Sequence, residues 1–157
     1  MKANVTINEV NHEDLVDLFS TALYDSHWFS ADYDHCEHCD EWQSFEDDIA
    51  EILLHGGSIR ITDFETDGDA YGNLPHELDE ETGNVTYWVT LADVIRGLER
   101  SANGSFNAGE DDSDWRDRQI SFVKRSFNAF ANDDRDWDAI TADCLMQIIV
   151  FDEVIYG

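Results

Sequence analysis

Apolar positions along the chain recur at two spacings, and the switches between them lay out the elements. Residues 3–9 alternate and are rich in β-branched side chains, which predicts a first strand. Asn11 is placed to cap a helix starting at His12, whose Leu15, Leu18, Phe19, Ala22 and Leu23 fall at helical spacing. Residues 25–40 read as an ordered loop anchored by Trp28, Phe29 and Tyr33. A second helix is predicted over about 41–55, with Trp42, Phe45, Ile49, Ile52 and Leu53 as its buried stripe and Gly56-Gly57 as its left-handed end. Residues 58–64 alternate as a strand, 66–83 form a long acidic loop, and Val85-Thr86-Tyr87-Trp88-Val89-Thr90 is the strongest strand pattern in the chain.

Thr90 then caps a helix through about Ser101, with Asp93 at the third position, where a carboxylate meets free N–H groups. After an acidic loop at 102–113, a fourth helix covers about 114–131 and is expected to bury Trp115, Phe122, Val123, Phe127 and Phe130. A last helix starts near Asp136, with Trp137, Ile140, Cys144 and Ile148 on its apolar side; the pattern over 148–156 suits helix and strand equally. The expected fold is a single α+β domain over 1–157, with a small sheet of about three strands packed by about five helices. A domain of this size buries roughly 70% of its unfolded surface, enough for a core without staples. The 42% hydrophobic content, with nine Phe, five Trp and five Tyr, separates it from a disordered acidic tail.

Charge changes the picture most. Nine Lys and Arg face 36 Asp and Glu, for a net charge of -27. Such a chain does not neutralise phosphates, so direct binding to nucleic acid or to an anionic membrane is excluded, and a basic protein partner is favoured. Evenly spread over the roughly 8,000 Å² expected of an 18.0 kDa monomer, the charge is about threefold sparser than on B-DNA. Imitating a nucleic acid therefore requires the carboxylates to gather on one side.

The sequence has that tendency. No Lys or Arg occurs between Lys2 and Arg60, and the second helix carries Asp40, Asp47, Asp48 and Glu51 away from its apolar stripe. Like charges three and four residues apart weaken a helix by a few tenths of a kcal/mol per pair. Further runs are Asp63, Glu65, Asp67, Asp69; Glu77, Asp79, Glu80, Glu81; Glu110, Asp111, Asp112, Asp114; and Asp133, Asp134, Asp136, Asp138. Four of the nine basic residues, Arg116, Arg118, Lys124 and Arg125, sit together on the fourth helix. The first three runs of carboxylates, with those of the second helix, are the candidate partner-binding residues, standing in for phosphate oxygens toward Arg and Lys. The plainer reading of the same residues is a solvated acidic surface or adaptation to high salt.

Asp34-His35-Cys36-Glu37-His38-Cys39-Asp40 is the sharpest local cluster. Cys36 and Cys39 have the spacing of a zinc knuckle, and His35 or His38 would add nitrogen ligands. A closed zinc site draws on two separated pairs, and no second pair exists; Cys144 stands alone. The reading therefore favours reduced cysteines and no cofactor, with zinc as the alternative and a redox CxxC after it, since no thioredoxin-like βαβ pattern surrounds the pair. Asp63-Phe64-Glu65-Thr66-Asp67-Gly68-Asp69 opens like a calcium loop, but its twelfth position is Leu74 rather than the bidentate Glu. No Gly-rich phosphate loop, GxSxG or HExxH occurs, so an enzyme is not expected. Nor does a charged, apolar leader or a run of ~20 apolar residues occur, and the expected location is the cytoplasm. The five Trp fall on or beside predicted apolar faces; an exposed one would be an interface anchor.

Two segments, Tyr87-Trp88-Val89-Thr90-Leu91-Ala92-Asp93-Val94-Ile95-Arg96-Gly97-Leu98 and the tail from Ala142-Asp143-Cys144-Leu145-Met146-Gln147 to Phe151-Asp152-Glu153-Val154-Ile155-Tyr156-Gly157, resemble a loose group of small acidic proteins carried by phages and plasmids. The resemblance covers about a fifth of the chain and brings no functional residue with it. It implies a genomic context similar in kind to that of anti-restriction and anti-CRISPR decoys. The expected function is thus an inhibitor that occupies the nucleic-acid-binding surface of a host defence protein, as a monomer or a homodimer. The alternatives are a zinc-stabilised interaction module and a generic acidic protein.

Overall fold

A computed structural model describes residues 5–24, 26–108 and 113–156. In chain order the elements are α1 (His12–Tyr24), β1 (Phe29–Asp32), α2 (Phe45–Leu54), β2 (Ser58–Asp63), β3 (His76–Leu78), β4 (Val85–Thr90), α3 (Leu91–Asn103), α4 (Ser113–Ala131) and α5 (Ala139–Phe151). The four strands form one antiparallel sheet in the order β1-β2-β4-β3. This is the expected α+β class with five helices, and with four strands rather than three.

Local chemistry explains where the elements stop. The predicted strand over 3–9 does not form in its described part, residues 5–9. Side chains of α3 take up its backbone instead: Val5 N donates to Asn103 Oδ1 at 2.6 Å and Ile7 N to Glu99 Oε1 at 2.8 Å. Two strands arise inside predicted loops, β1 within 25–40 and β3 within 66–83. Helix α2 begins at Phe45, not near 41, because Ser44 caps it: Asp47 N donates to Ser44 Oγ, and Ser44 N to Asp47 Oδ2. Trp42 therefore lies outside the helix, 93% exposed, instead of in its buried stripe. Asn11 and Thr90 cap α1 and α3 as expected, and both caps are reciprocal, with Asp14 and Asp93. Asp138 caps α5, which ends at Phe151 where Asp152 turns left-handed at φ 61°.

One face of the sheet is buried. Ile59, Ile61 and Asp63 of β2 and Val85, Tyr87 and Val89 of β4 point to the helices, and their neighbours Arg60, Thr62, Thr86 and Trp88 point away. Helix α5 is the central post, buried from Cys144 to Phe151 and packed by α1, α3 and α4. Gly97 lets α3 close onto it: a Cβ there would stand 2.5 Å from Ile149 Cγ1 and 2.6 Å from Ile149 Cα. Trp28, fully buried, packs on Phe29, Phe151 and Tyr156 and donates its indole N–H to Asp143 Oδ1 at 2.5 Å. Helix α2 packs on α1 and β2, whereas α4 packs on α3 and α5. The two helices that carry the acidic row and the basic group thus pack on different elements.

Candidate partner-binding surface and cysteine site

The α1–α2 flank draws on residues 5–59, in which every formal side-chain charge is negative apart from histidine. Five of the six histidines fall there too. Two of them are set among the carboxylates of α2. His12 Nε2 lies 2.7 Å from Asp47 Oδ1 and His12 Nδ1 lies 2.9 Å from Glu51 Oε1, while His55 Nε2 lies 3.3 Å from Glu51 Oε2. The Asp47 carboxylate, with help from Glu51, holds the His12 imidazole more basic than usual. In return the His12 contact and the Ser44 cap hold Asp47 below the usual carboxylate range. Asp48 accepts hydrogen bonds from the Tyr33 hydroxyl and, at 2.7 Å, from Gln43 Nε2. The bond to Asp48 pushes the Tyr33 phenol up to about 12.

The row predicted on α2 is therefore partly committed inside the molecule. Asp47, Asp48 and Glu51 are half-buried and bonded, and Asp40 is exposed. The other predicted runs divide as follows. Glu65, Asp67 and Asp69 are exposed, and so are Glu77, Asp79, Glu80 and Glu81, around the turn that joins β3 to β4. Asp114 is exposed at the start of α4, and Glu110, Asp111 and Asp112 lie outside the described residues.

Asp63 is a correction: it is fully buried and belongs to no surface. The alternation of β2 puts it on the same face as Ile59 and Ile61, and it accepts from Glu65 N and Thr66 N at 3.0 Å and from the Tyr156 hydroxyl at 2.7 Å. Burial raises its carboxyl above the usual range, against the pull of these donors. With Asp63 turned inward and Leu74 in the core, the calcium-like segment does not gather its ligands.

Cations are distributed unequally. Arg60, on the open face of the sheet, is held by Asp32 at 2.6 Å and Asp34 at 2.5 Å. Arg96 and Arg100 on α3 pair with Asp93 and Asp152. Arg116, Arg118, Lys124 and Arg125 all lie on α4, which packs on α3 and α5, whereas the acidic α2 packs on α1 and β2. An accessible surface of 9207 Å² shared among 27 net charges averages about 340 Å² each, so only this unequal placement brings any part of the surface toward duplex density.

Cys36 and Cys39 lie at disulfide distance, their Cα atoms 5.6 Å apart, where the sequence suggested reduced thiols. Both sulfurs face α2, 4.0 and 3.9 Å from the Asp48 carbonyl oxygen. Among the described residues, the one group of three such side chains able to share a metal ion is Cys36, Cys39 and Asp48, whose ligand atoms all lie within 4.8 Å of one another. His35 and His38, the expected nitrogen ligands, are outside this group. Both are exposed, and the His38 ring stacks on that of His55 with centroids 3.9 Å apart. Cys144 is buried, and burial pushes its thiol up to about 12, away from reactivity.

Two features escaped the sequence reading. Asp48 as a neighbour of both cysteines depends on how the 33–44 loop folds back on α2, which no local spacing records. Trp42 had a usable signal: the Ser44-x-x-Asp47 cap begins the helix after it. Among the described residues no helix is long and apolar enough to cross a membrane. No family model, no curated protein and no solved structure matches the chain.

Proposed function

We propose that this protein is an inhibitor that imitates nucleic acid and occupies the nucleic-acid-binding cleft of a host defence protein, such as a CRISPR effector or a restriction enzyme. The observation that supports the reading is the segregation of charge among the elements. Residues 5–59, which build α1 and α2, hold no lysine or arginine, and four of the nine cations sit together on α4, which packs on α3 and α5. Carboxylates so gathered accept charge-assisted hydrogen bonds from the Arg and Lys that line such a cleft, and the field speeds encounter. The likeness of two segments to small acidic phage and plasmid proteins agrees with an origin on a mobile element. On this reading the chain performs no catalysis.

The exposed carboxylates Asp40, Glu77, Glu80 and Glu81 are better probes than the bonded ones of α2, because reversing them disturbs no internal contact of α2 or the core. The test is competition: a candidate defence nuclease is titrated with this chain in the presence of labelled duplex. Displacement that weakens steeply from low to high salt, and at least tenfold on reversing these four charges to lysine, is expected. Displacement indifferent to both would discard the reading.

A second reading, a zinc-stabilised interaction module, is favoured by one observation, the convergence of Cys36, Cys39 and Asp48. Near-stoichiometric zinc in protein purified under reducing conditions is its signature.

A further inference from the structure

A zinc knuckle supplies two thiolates from one turn of chain and needs its remaining ligands from elsewhere. Here the fold brings a carboxylate. Asp48, in the first turn of α2, comes within 4.8 Å of both sulfurs at a ligand oxygen. It is also held in place: the Tyr33 hydroxyl donates to Oδ2 and Gln43 Nε2 to Oδ1. Oriented carboxylates of this kind, fixed by outer hydrogen bonds, are a regular feature of built metal sites. His35 and His38 of the same loop fall outside this group, and the His38 ring stacks on His55.

Resting on the second reading above, we infer that Cys36, Cys39 and Asp48 are three ligands of one thiophilic divalent cation, zinc by ligand type, and that metal and disulfide are alternative states of this one site. A fourth tetrahedral position is left to water. In the reduced state the two thiols lose their protons and the cation takes both sulfurs and one Asp48 oxygen. Oxidation by a low-molecular-weight disulfide proceeds by exchange. One cysteine thiolate attacks the small disulfide and expels a thiolate. The second cysteine then attacks the mixed disulfide, expels the other thiolate and closes the Cys36–Cys39 bond. Two electrons pass to the small disulfide, and the cation leaves. Formal charge at the site is the same in the two end states, because two thiolates and a carboxylate against a divalent cation leave the single negative charge that Asp48 carries beside a disulfide. The acidic flank is therefore electrostatically indifferent to which of the two is present.

Cobalt(II) is the probe. The full chain, reduced with a phosphine and titrated without oxygen, is expected to bind one cobalt per chain with a thiolate charge-transfer band and tetrahedral visible bands, displaced by zinc. Glutathione disulfide should bleach the band and release the metal, with the Cys36–Cys39 bond found by mass spectrometry. Asp48→Asn should weaken cobalt at least tenfold while circular dichroism shows α2 intact, and His38→Ala should leave affinity within twofold. No band in the reduced protein overturns the zinc reading and this inference together. A band unchanged by Asp48→Asn, or lost with His38→Ala, leaves zinc standing and overturns the ligand set. Metal retained after the disulfide has formed overturns the exclusivity.

Discussion

The Tyr156 hydroxyl meets Asp63 Oδ2 at 2.7 Å, joining the end of β2 to the tail of the chain 93 positions later. The carboxylate is fully buried and has three donors, two backbone N–H groups and this phenol. Removing Asp63 orphans all three, and a buried polar group left unpaired costs about 1–3 kcal/mol. Asp63→Ala is expected to lower stability by about 3 kcal/mol and Tyr156→Phe by about 1–2 kcal/mol, read as shifts of the urea midpoint at constant slope.

Asp63 also fixes a pH dependence. Its folded carboxyl is raised above the ordinary value of 3.8 by burial, so the folded state holds the proton more tightly than the unfolded one. Folding is favoured by this group below 3.8 and penalised as pH rises through the higher folded value. Asp63→Asn, which keeps an acceptor for Glu65 N and Thr66 N, should therefore gain stability relative to the natural chain between about pH 4 and 7, as denaturation midpoints at each pH will show.

The His12–Asp47 pair combines both senses. His12 is raised and contributes fully below 6.5, losing its contribution as pH rises through the folded value. Asp47 is lowered and contributes above 3.8, losing its share as pH falls through the folded value. Their joint stabilisation peaks between about pH 4 and 6.5. The gap in stability between the natural chain and His12→Gln should shrink on going from pH 5.5 to 8, and it stays under about 1 kcal/mol because both groups are about one-third exposed.

Gly97→Ala tests the close packing of α3 on α5. Alanine favours a helix by about 1 kcal/mol, yet its methyl would collide with Ile149, including the backbone. Overpacking of this kind costs about 1–3 kcal/mol, and the sum is a net loss visible as a lower Tm.

On the proposed reading Trp42, 93% exposed beside Asp40 and Glu41, would anchor the interface. Trp42→Ala should leave stability within about 0.5 kcal/mol and weaken displacement of nucleic acid from the target at least fivefold, separating a surface role from a folding one.

The regular elements were legible where local chemistry decides them. The Thr90–Asp93 cap, the alternation of β2 and β4 and the left-handed end of α2 at Gly56 all follow from short stretches of sequence. Strands β1 and β3 were not legible. With four and three residues they exist only because β2 and β4 offer them partners, and partners are not written in the strand itself. The acidic runs were visible but their fates were not. Asp63 could have been read inward from the period of β2. By contrast, the engagement of Asp47 by His12, 35 positions away, depends on how α1 packs against α2. Trp115, Phe122 and Ile140 were expected to be buried and are 56%, 36% and 70% exposed.

The order β1-β2-β4-β3 leaves the two shortest strands as the margins of the sheet. Unpaired N–H and C=O groups on such margins are templates for another extended chain, the usual start of fibrils. Asp32 stands on one margin, and Glu77, followed by Asp79, Glu80 and Glu81, on the other. A second copy adding its strand to either margin would bring the same carboxylates into opposition, which disfavours the pairing. Resistance to strand addition is thus built into the outline of the sheet, and it should fail first on acidification toward the isoelectric point of about 4.1, where those groups take up protons.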